Sequence, residues 1–301
     1  MSGKLKEVRE RISSVKSTMQ ITNAMKMVSA AKLRKAQQAI TDLRPYADRL
    51  NKMMVNILSN LDGDASTAFG KSREVNKAAV VVVTSNRGLC GAFNSNVVKE
   101  AIKVLDGELK DLVASKNVTI YNVGKKGFDA LKNRYDRSLF NGDYVNLFSD
   151  LGYENVATAS TDLMNQFIAG DVDKVYVCYG RFKNPAVQYP ECAQFLPVPK
   201  LEVKSDDKKS GKKADYIFEP SKEELLEQLI PSILQTSFQK YCLDTHASEH
   251  GARMTAMDSA TENANELLGE LKINYNKARQ ESITNEILEI VGGAAALESG
   301  S

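Results

Sequence analysis

The sequence predicts an α/β protein with a long antiparallel coiled coil, made by its N- and C-terminal helices, plus a Rossmann-like α/β domain with a mostly parallel sheet. Three observations carry this expectation. Met254, Met257, Thr261, Ala264, Leu268, Leu271, Tyr275 and Ala278 recur at spacings of three and four, an a/d seam too narrow for a helix buried in a globular core. A matching seam opens the chain with Leu5, Val8, Ile12, Val15 and Met19 and closes with Leu33, Ala36, Ile40, Leu43, Ala47, Leu50, Met54, Ile57 and Leu61. Between the two runs, apolar β-branched segments alternate with helical ones, the pattern of a sheet with helices on its faces.

Taken in order, residues 1–61 form the first arm of the coil. Counting heptads through its middle places Thr22, Lys26 and Ser29 on the seam, so the phase is kept while the chemistry is broken. Met25, Met27 and Val28 put apolar surface off the seam there, either as a packing irregularity or as a surface that meets something else. Pro45 lies inside the run and is expected to kink or locally unwind it, because its ring removes a backbone donor. Residues 62–75, with Gly63, Ser66, Gly70 and Ser72, read as a linker.

The α/β domain is expected over 76–200. Residues 78–84, Ala-Ala-Val-Val-Val-Val-Thr, suit a strand buried on both faces. A helix over 94–112, a strand over 118–123, a short helix over 125–133, a helix over 155–169, a buried strand over 174–179 and an extended stretch over 187–198 follow. Residues 201–215 form a charge-rich loop expected to be mobile. The second arm of the coil spans 216–301, entered through Ser221 and Glu224 in capping-box spacing. A continuous helix from 223 to 297 would be roughly 110 Å long at 1.5 Å per residue, too long for a compact domain of this size, so it must project. The first arm is basic and the second acidic, which favours their pairing, and the intervening domain lets the chain return antiparallel.

Composition narrows the class. The 301 residues are 43% hydrophobic and carry a net charge of +2, with no apolar run near the ~18 residues of a membrane span. No apolar signal core opens the chain, and Glu7 and Glu10 inside a patterned helix argue against a transit peptide. Cys90, Cys178, Cys192 and Cys242 form no CxxC pair, which points to a reduced compartment and no structural zinc.

Three stretches resemble chemistry. Cys90, in the turn Thr84-Ser-Asn-Arg-Gly-Leu-Cys-Gly-Ala-Phe93, follows a strand and precedes a helix. A nucleophile elbow needs glycine two residues to each side, and position 92 is Ala; no histidine is near in sequence to make a thiolate. Neither GxxxxGK[ST] nor GxGxxG is present, so a tight turn at Gly88 and Gly91 is the better account. His246-Ala-Ser-Glu-His250 matches HxxEH and sets both imidazoles on one helical face, but a thin coil offers no cleft, and two helix-surface histidines are expected. The basic first arm lacks the interleaved aromatics of a nucleic-acid binder.

Residues 283–296, Ile-Thr-Asn-Glu-Ile-Leu-Glu-Ile-Val-Gly-Gly-Ala-Ala-Ala, resemble the C-terminal signature of the gamma subunits of F-type ATP synthases. Residues 21–35 with Arg44-Pro-Tyr-Ala47 resemble that family's first helix, Ser85-Asn-Arg-Gly-Leu-Cys-Gly91 its S-D-R-G-L-C-G turn, and Asn274-Tyr-Asn-Lys-Ala-Arg-Gln280 its approach to the signature. Asn86 stands for the usual Asp and His250 for the usual Gln. The match is collinear over essentially the whole chain.

The resemblance implies a torque-transmitting rotor rather than a free-standing thiol- or zinc-dependent enzyme, without catalytic residues, cofactor or metal of its own. Its partners would be three alpha and three beta subunits, an epsilon subunit and the membrane c ring, with no nucleic acid and with membrane contact only through the complex. That implies a peripheral protein on the cytoplasmic face of a bacterial plasma membrane. By position, Met25 and Lys26 fall where the family meets the acidic lever loop of beta, near Arg253 on the partner helix. Arg279 and Gln280 match a pair that hydrogen-bonds a beta loop, Thr284 and Glu289 an upper contact surface, and Lys208–Lys213 lies toward epsilon or the c ring. Beyond Ala278 the a/d phase is lost, and the helix is expected to outrun its partner.

Overall fold

Ala78–Val83 (β1) alternates its side chains between two apolar layers, and every one of its six residues is buried. Strands β2 (Val118–Val123) and β4 (Lys174–Asn184) pair with it in parallel on either side. Two-residue β3 (Phe140–Asn141) adds a parallel edge and β5 (Val187–Leu196) an antiparallel one, giving the order β3-β2-β1-β4-β5. This computed structural model describes residues 2–59, 69–70, 73–198 and 222–299. The loop 201–215 with Lys208–Lys213, the Ser221 cap and most of the linker 62–75 lie outside them.

One face of the sheet, through Ala79, Val81 and Val83, packs with Val156, Leu163 and Phe167 of α5 (Tyr153–Ala169) and with Ile230, Leu234 and Phe238 of α6 (Lys222–Ser299). The opposite face, through Ala78, Val80 and Val82, is covered by Phe93, Val97, Ala101 and Leu105 of α2 (Phe93–Asp106). Each buried Val, Leu, Ile or Phe among them contributes about 1.5–3 kcal/mol of burial. The doubly buried strand needs both helical layers, which is why its apolar run is unbroken.

The predicted helix over 94–112 is two helices, α2 and α3 (Lys110–Ala114). Gly107 divides them with φ −98° and ψ −95°, and a Cβ there would sit 2.5 Å from the carbonyl oxygen of Lys103. Helix α4 (Lys125–Leu131) and α5 differ from expectation by two residues at one end, within ordinary fraying. Strand β4 runs five residues past the expected Tyr179, because its outer half pairs with β5 rather than entering the core. The Asn184 side chain closes that hairpin by accepting from the amides of Ala186 and Val187.

Cys178 faces Cys192 across the β4–β5 ladder and the two are joined as a disulfide, so the expectation of four reduced cysteines is corrected. Fourteen residues separate the pair; cross-strand register, invisible to a CxxC search, brings them together. Part of the predicted linker is also structured. Phe69 is buried in the core, and Arg73 donates to the carbonyls of Phe167 and Val172 while pairing with Asp173 at 2.6 Å. Asp173 in turn accepts from the amides of Asn76 and Lys77, which fixes the entry to β1.

Helix α1 (Ser2–Ser59) continues through Pro45 and α6 through Pro231, so the local unwinding expected at Pro45 does not occur. The chain divides into two compact units. Residues 30–253 hold the sheet and its helices, and residues 1–29 with 254–301 form the other. In the second unit Lys4 meets Glu281, Arg9 meets Tyr275, Thr22 meets Thr261 and Lys26 meets Asp258. One number falls as the other rises, so the pairing is antiparallel, as the opposite charge of the arms predicts. Its seam buries Met257, Ala264, Leu268, Leu271 and Ala278 against half-buried Leu5, Val8, Ile12, Val15 and Met19.

Candidate functional site: a filled crevice and an exposed helix end

An open α/β sheet binds ligands beyond the carboxyl ends of its strands where the strand order reverses. Here that place is the turn after β1 beside the middle of β4. Thr84 and Ser85 are fully buried there, and the Thr84 hydroxyl accepts from the amide of Gly127. Gly124 passes so near that a Cβ would lie 2.0 Å from the Thr84 carbonyl oxygen, and its φ of +100° admits little but glycine. The turn itself needs a positive φ at Leu89 and Gly91, as expected of a tight turn, although Gly88 is not the residue that supplies it.

Cys90 in this turn is buried and accepts from Asn94 Nδ2 at 3.2 Å. Burial pushes its thiol above the ordinary range, the opposite of what a nucleophile requires. The crevice is filled by α6. Thr245 accepts from the amide of Gly180, Ser248 donates to the carbonyl of Gly180, and Arg253 Nη2 donates to the carbonyls of Arg87 and Gly88 at 3.1 and 3.2 Å. Backbone groups that would face a ligand in a doubly wound enzyme are bonded to this helix instead.

The HxxEH histidines are not on the surface as expected. They lie in the stretch of α6 packed on the α/β unit, with the His246 ring edge-on to Phe148 and His250 itself buried. Arginine can only donate, so His250 Nδ1 accepts from Arg253 Nη1 at 3.4 Å. That places the His250 proton on Nε2, which donates to His246 Nε2 at 3.1 Å. Both rings are thereby neutral, and burial, with nearby positive charge, holds His246 down at about 4 and His250 at about 3. Glu249, the third polar group of the motif, is paired with Arg253. Among the described residues no group of three or more His, Cys, Asp or Glu is set to hold a metal ion.

The residues singled out by sequence separate into three environments. Arg253 is 8% exposed and bonded within the α/β unit. Met25 is half-buried on the coil beside exposed Ile21, Met27 and Val28, and Lys26 donates to Asp258. Arg279, Gln280, Thr284 and Glu289 are exposed on the last part of α6, where Gln280 and Thr284 line a shallow groove with Lys277, Glu281 and Asn285. Sequence inspection missed the bonding partners of Lys26 and Thr22, namely Asp258 and Thr261, although Thr261 on the opposite seam and the acid beside that seam were usable signals. It also passed over a stripe of Ile283, Ile287, Leu288, Ile290 and Val291, exposed by 47 to 71% beyond the last ion pair of the coil, Lys4–Glu281.

An α/β unit whose crevice is closed by its own helix, and a coil whose last part carries exposed apolar side chains, have the form of a scaffold subunit. The family model described as ATP synthase matches residues 4–297. The chain is 52% identical over 293 residues to the ATP synthase gamma chain of Flavobacterium johnsoniae, covering 97% of this chain and 98% of that one. It is 43% identical over 298 residues to the gamma chain of Geobacter sp., covering 98% and 99%. Among solved structures it is similar to a chain of the Euglena gracilis mitochondrial ATP synthase (OSCP/F1/c-ring, rotational state 3), with a TM-score of 0.65 and 22% identity over 100% of this chain and 96% of that one, a likeness of fold.

The chain belongs to the ATP synthase gamma chain family. It is the rotor subunit of the central stalk, without a catalytic centre of its own, and a peripheral part of a membrane complex. No helix among the described residues is long and apolar enough to cross a membrane.

Proposed function

We propose that this chain turns inside a ring of three alpha and three beta subunits, with epsilon and the c ring at its other end, on the cytoplasmic face of a bacterial plasma membrane. In this division of labour 1–61 with 216–301 is the shaft and 76–200 the base, with 62–75 as linker and the charged loop 201–215 near epsilon or the c ring. The observation that carries the proposal is the exposure, by 47 to 71%, of Ile283, Ile287, Leu288, Ile290 and Val291 on the last part of α6. Each of those side chains gains about 1.5–3 kcal/mol when a partner covers it, and a bearing formed by other subunits does so.

Met25, Lys26 and Arg253 then belong to the lever-loop contact of beta, with Lys26 and Arg253 held in place by Asp258 and Glu249. Arg279 and Gln280 meet a second beta loop, where a guanidinium paired with a carboxylate is worth about 1.5–3 kcal/mol, and Thr284 and Glu289 extend that surface. Three similar sites facing an asymmetric coil each meet a different contact, and each shifts its population by the difference in contact free energy.

The test is purification and pumping. The chain should copurify with alpha and beta subunits and show no ATPase alone. Met25→Lys should leave hydrolysis while lowering protons pumped per ATP in inverted vesicles. Solitary turnover by the chain, or unchanged pumping per ATP in that variant, would overturn the proposal.

A further inference from the structure

The apolar seam of the coil is interrupted once, at Thr22, Lys26 and Ser29, and the facing seam of α6 turns polar at Thr261, with Asp258 beside it. The two interruptions coincide. The Thr22 and Thr261 hydroxyls lie 2.7 Å apart, and each also reaches a carbonyl of its own helix, Met19 at 3.1 Å and Met257 at 2.7 Å, so the bond between the helices forms when one hydroxyl turns its proton from its carbonyl to the other oxygen. Lys26 Nζ donates to Asp258 Oδ1 across the same pair of helices.

Thr22 is 8% exposed and its apolar neighbours along the seams, Met257 and Ala264, are buried. A hydroxyl in such a seam is costly unless matched. Sliding one helix past the other by a heptad, about 10 Å, sets Thr22 against Leu268 or Met254 and Lys26 against Asn265 or Gly251, none of them an acid. Apolar layers tolerate such a slip; matched polar ones do not, and a single polar layer is known to fix register in coiled coils. The salt bridge leaves its side chains 38% and 46% exposed, so it adds little to stability. The cost of a wrong register falls mainly on the buried Thr22 hydroxyl, and the ion pair sets which side of the seam the two helices present to each other.

We infer that the Thr22–Thr261 and Lys26–Asp258 pairs form a polar lock that fixes the register and the rolling of the two helices, so that torque passes along the coil without slip. Lys26 is thereby a positioning residue that acts through Asp258. The inference rests on the rotor role, and it differs from the beta-contact proposal in what Lys26 must touch. A contact with an acidic loop of another subunit needs a cation at position 26. A lock needs only opposite charges at 26 and 258, in either order.

The experiment compares Lys26→Asp, Asp258→Lys and the double exchange Lys26→Asp/Asp258→Lys in the assembled complex, reading ATP hydrolysis and protons pumped per ATP in inverted vesicles. Each single variant sets like charges together and should lower pumping per ATP severalfold. The double exchange should restore pumping to the wild-type ratio. If the double exchange stays as uncoupled as Lys26→Asp, the lysine acts on a partner and the lock is wrong while the rotor role stands. If neither single variant changes the ratio, the lock is also wrong. If the wild-type chain does not copurify with alpha and beta subunits, it is the rotor role that fails.

Discussion

Helix α6 carries two apolar stripes at the same helical spacing with opposite fates. Ile230, Leu234, Phe238 and Cys242 recur every four residues and are buried against the sheet, with the Phe238 and Phe195 ring centroids 5.6 Å apart. Ile283, Ile287 and Ile290, flanked by Leu288 and Val291, repeat the pattern and are exposed. An exposed apolar stripe of this size is what a surface offered to another molecule carries. One helix thus carries a buried apolar stripe at one end and an exposed one at the other.

The sharpest way to break this comparison is to truncate one residue of each stripe. Phe238→Ala opens a cavity in the core and should cost about 3–5 kcal/mol in chemical denaturation of the purified chain. Leu288→Ala should change that stability by no more than about 0.5 kcal/mol, yet weaken retention of the chain in the assembled complex. Equal losses of stability in the two variants would mean that the exposed end is covered by its own chain.

A smaller effect tests how closely α2 and β4 pack beneath the buried stretch of α6. A Cβ on Gly180 would lie 2.5 Å from Cε2 of Phe93 and 3.4 Å from Cβ of Ser248. Gly180→Ala should therefore cost about 1–3 kcal/mol by overpacking, measured by the shift of the denaturation midpoint. Gly292→Ala, with nothing within 4 Å, should cost nothing and gain slightly in helix propensity.

A comparable effect is acid sensitivity confined to the buried half. His246 and His250 have folded values near 4 and 3, below the ordinary 6.5. The unfolded chain therefore takes up protons first, and their contribution to stability is lost as the pH falls from about 6.5 toward 4 and 3. Asp244 works the other way, because burial raises it to about 6 and its protonation between 6 and 3.8 favours the folded chain. Denaturation at pH 7.5 and pH 5 should show a net loss, reduced in the double variant His246→Gln/His250→Gln. An unchanged pH dependence in that variant would contradict the neutral, hydrogen-bonded pair.

Much of this was legible in the residues. The run Val80–Val83 announced a strand buried on both sides, and the seams announced an antiparallel coil, because both depend on short-range periodicity. Gly107 as a helix break was readable in principle, but its cause is the Lys103 carbonyl in the turn before it, which a one-dimensional pattern hides. The Cys178–Cys192 bond and the burial of the HxxEH histidines depend on which elements meet in space, and no local spacing encodes that. Lys26 and Thr22 are defects in one seam taken alone, and their partners, Thr261 on the opposite seam and Asp258 beside it, become evident only when the two helices are set together.

The central claim is rotation, and one measurement addresses it directly. A fluorescent probe attached at exposed Lys99 on the α/β unit is followed in single complexes whose beta subunits are fixed to a surface. With ATP added, the account predicts unidirectional turning with three stops per revolution, one for each beta subunit. A probe that stays still while ATP is hydrolysed would contradict it.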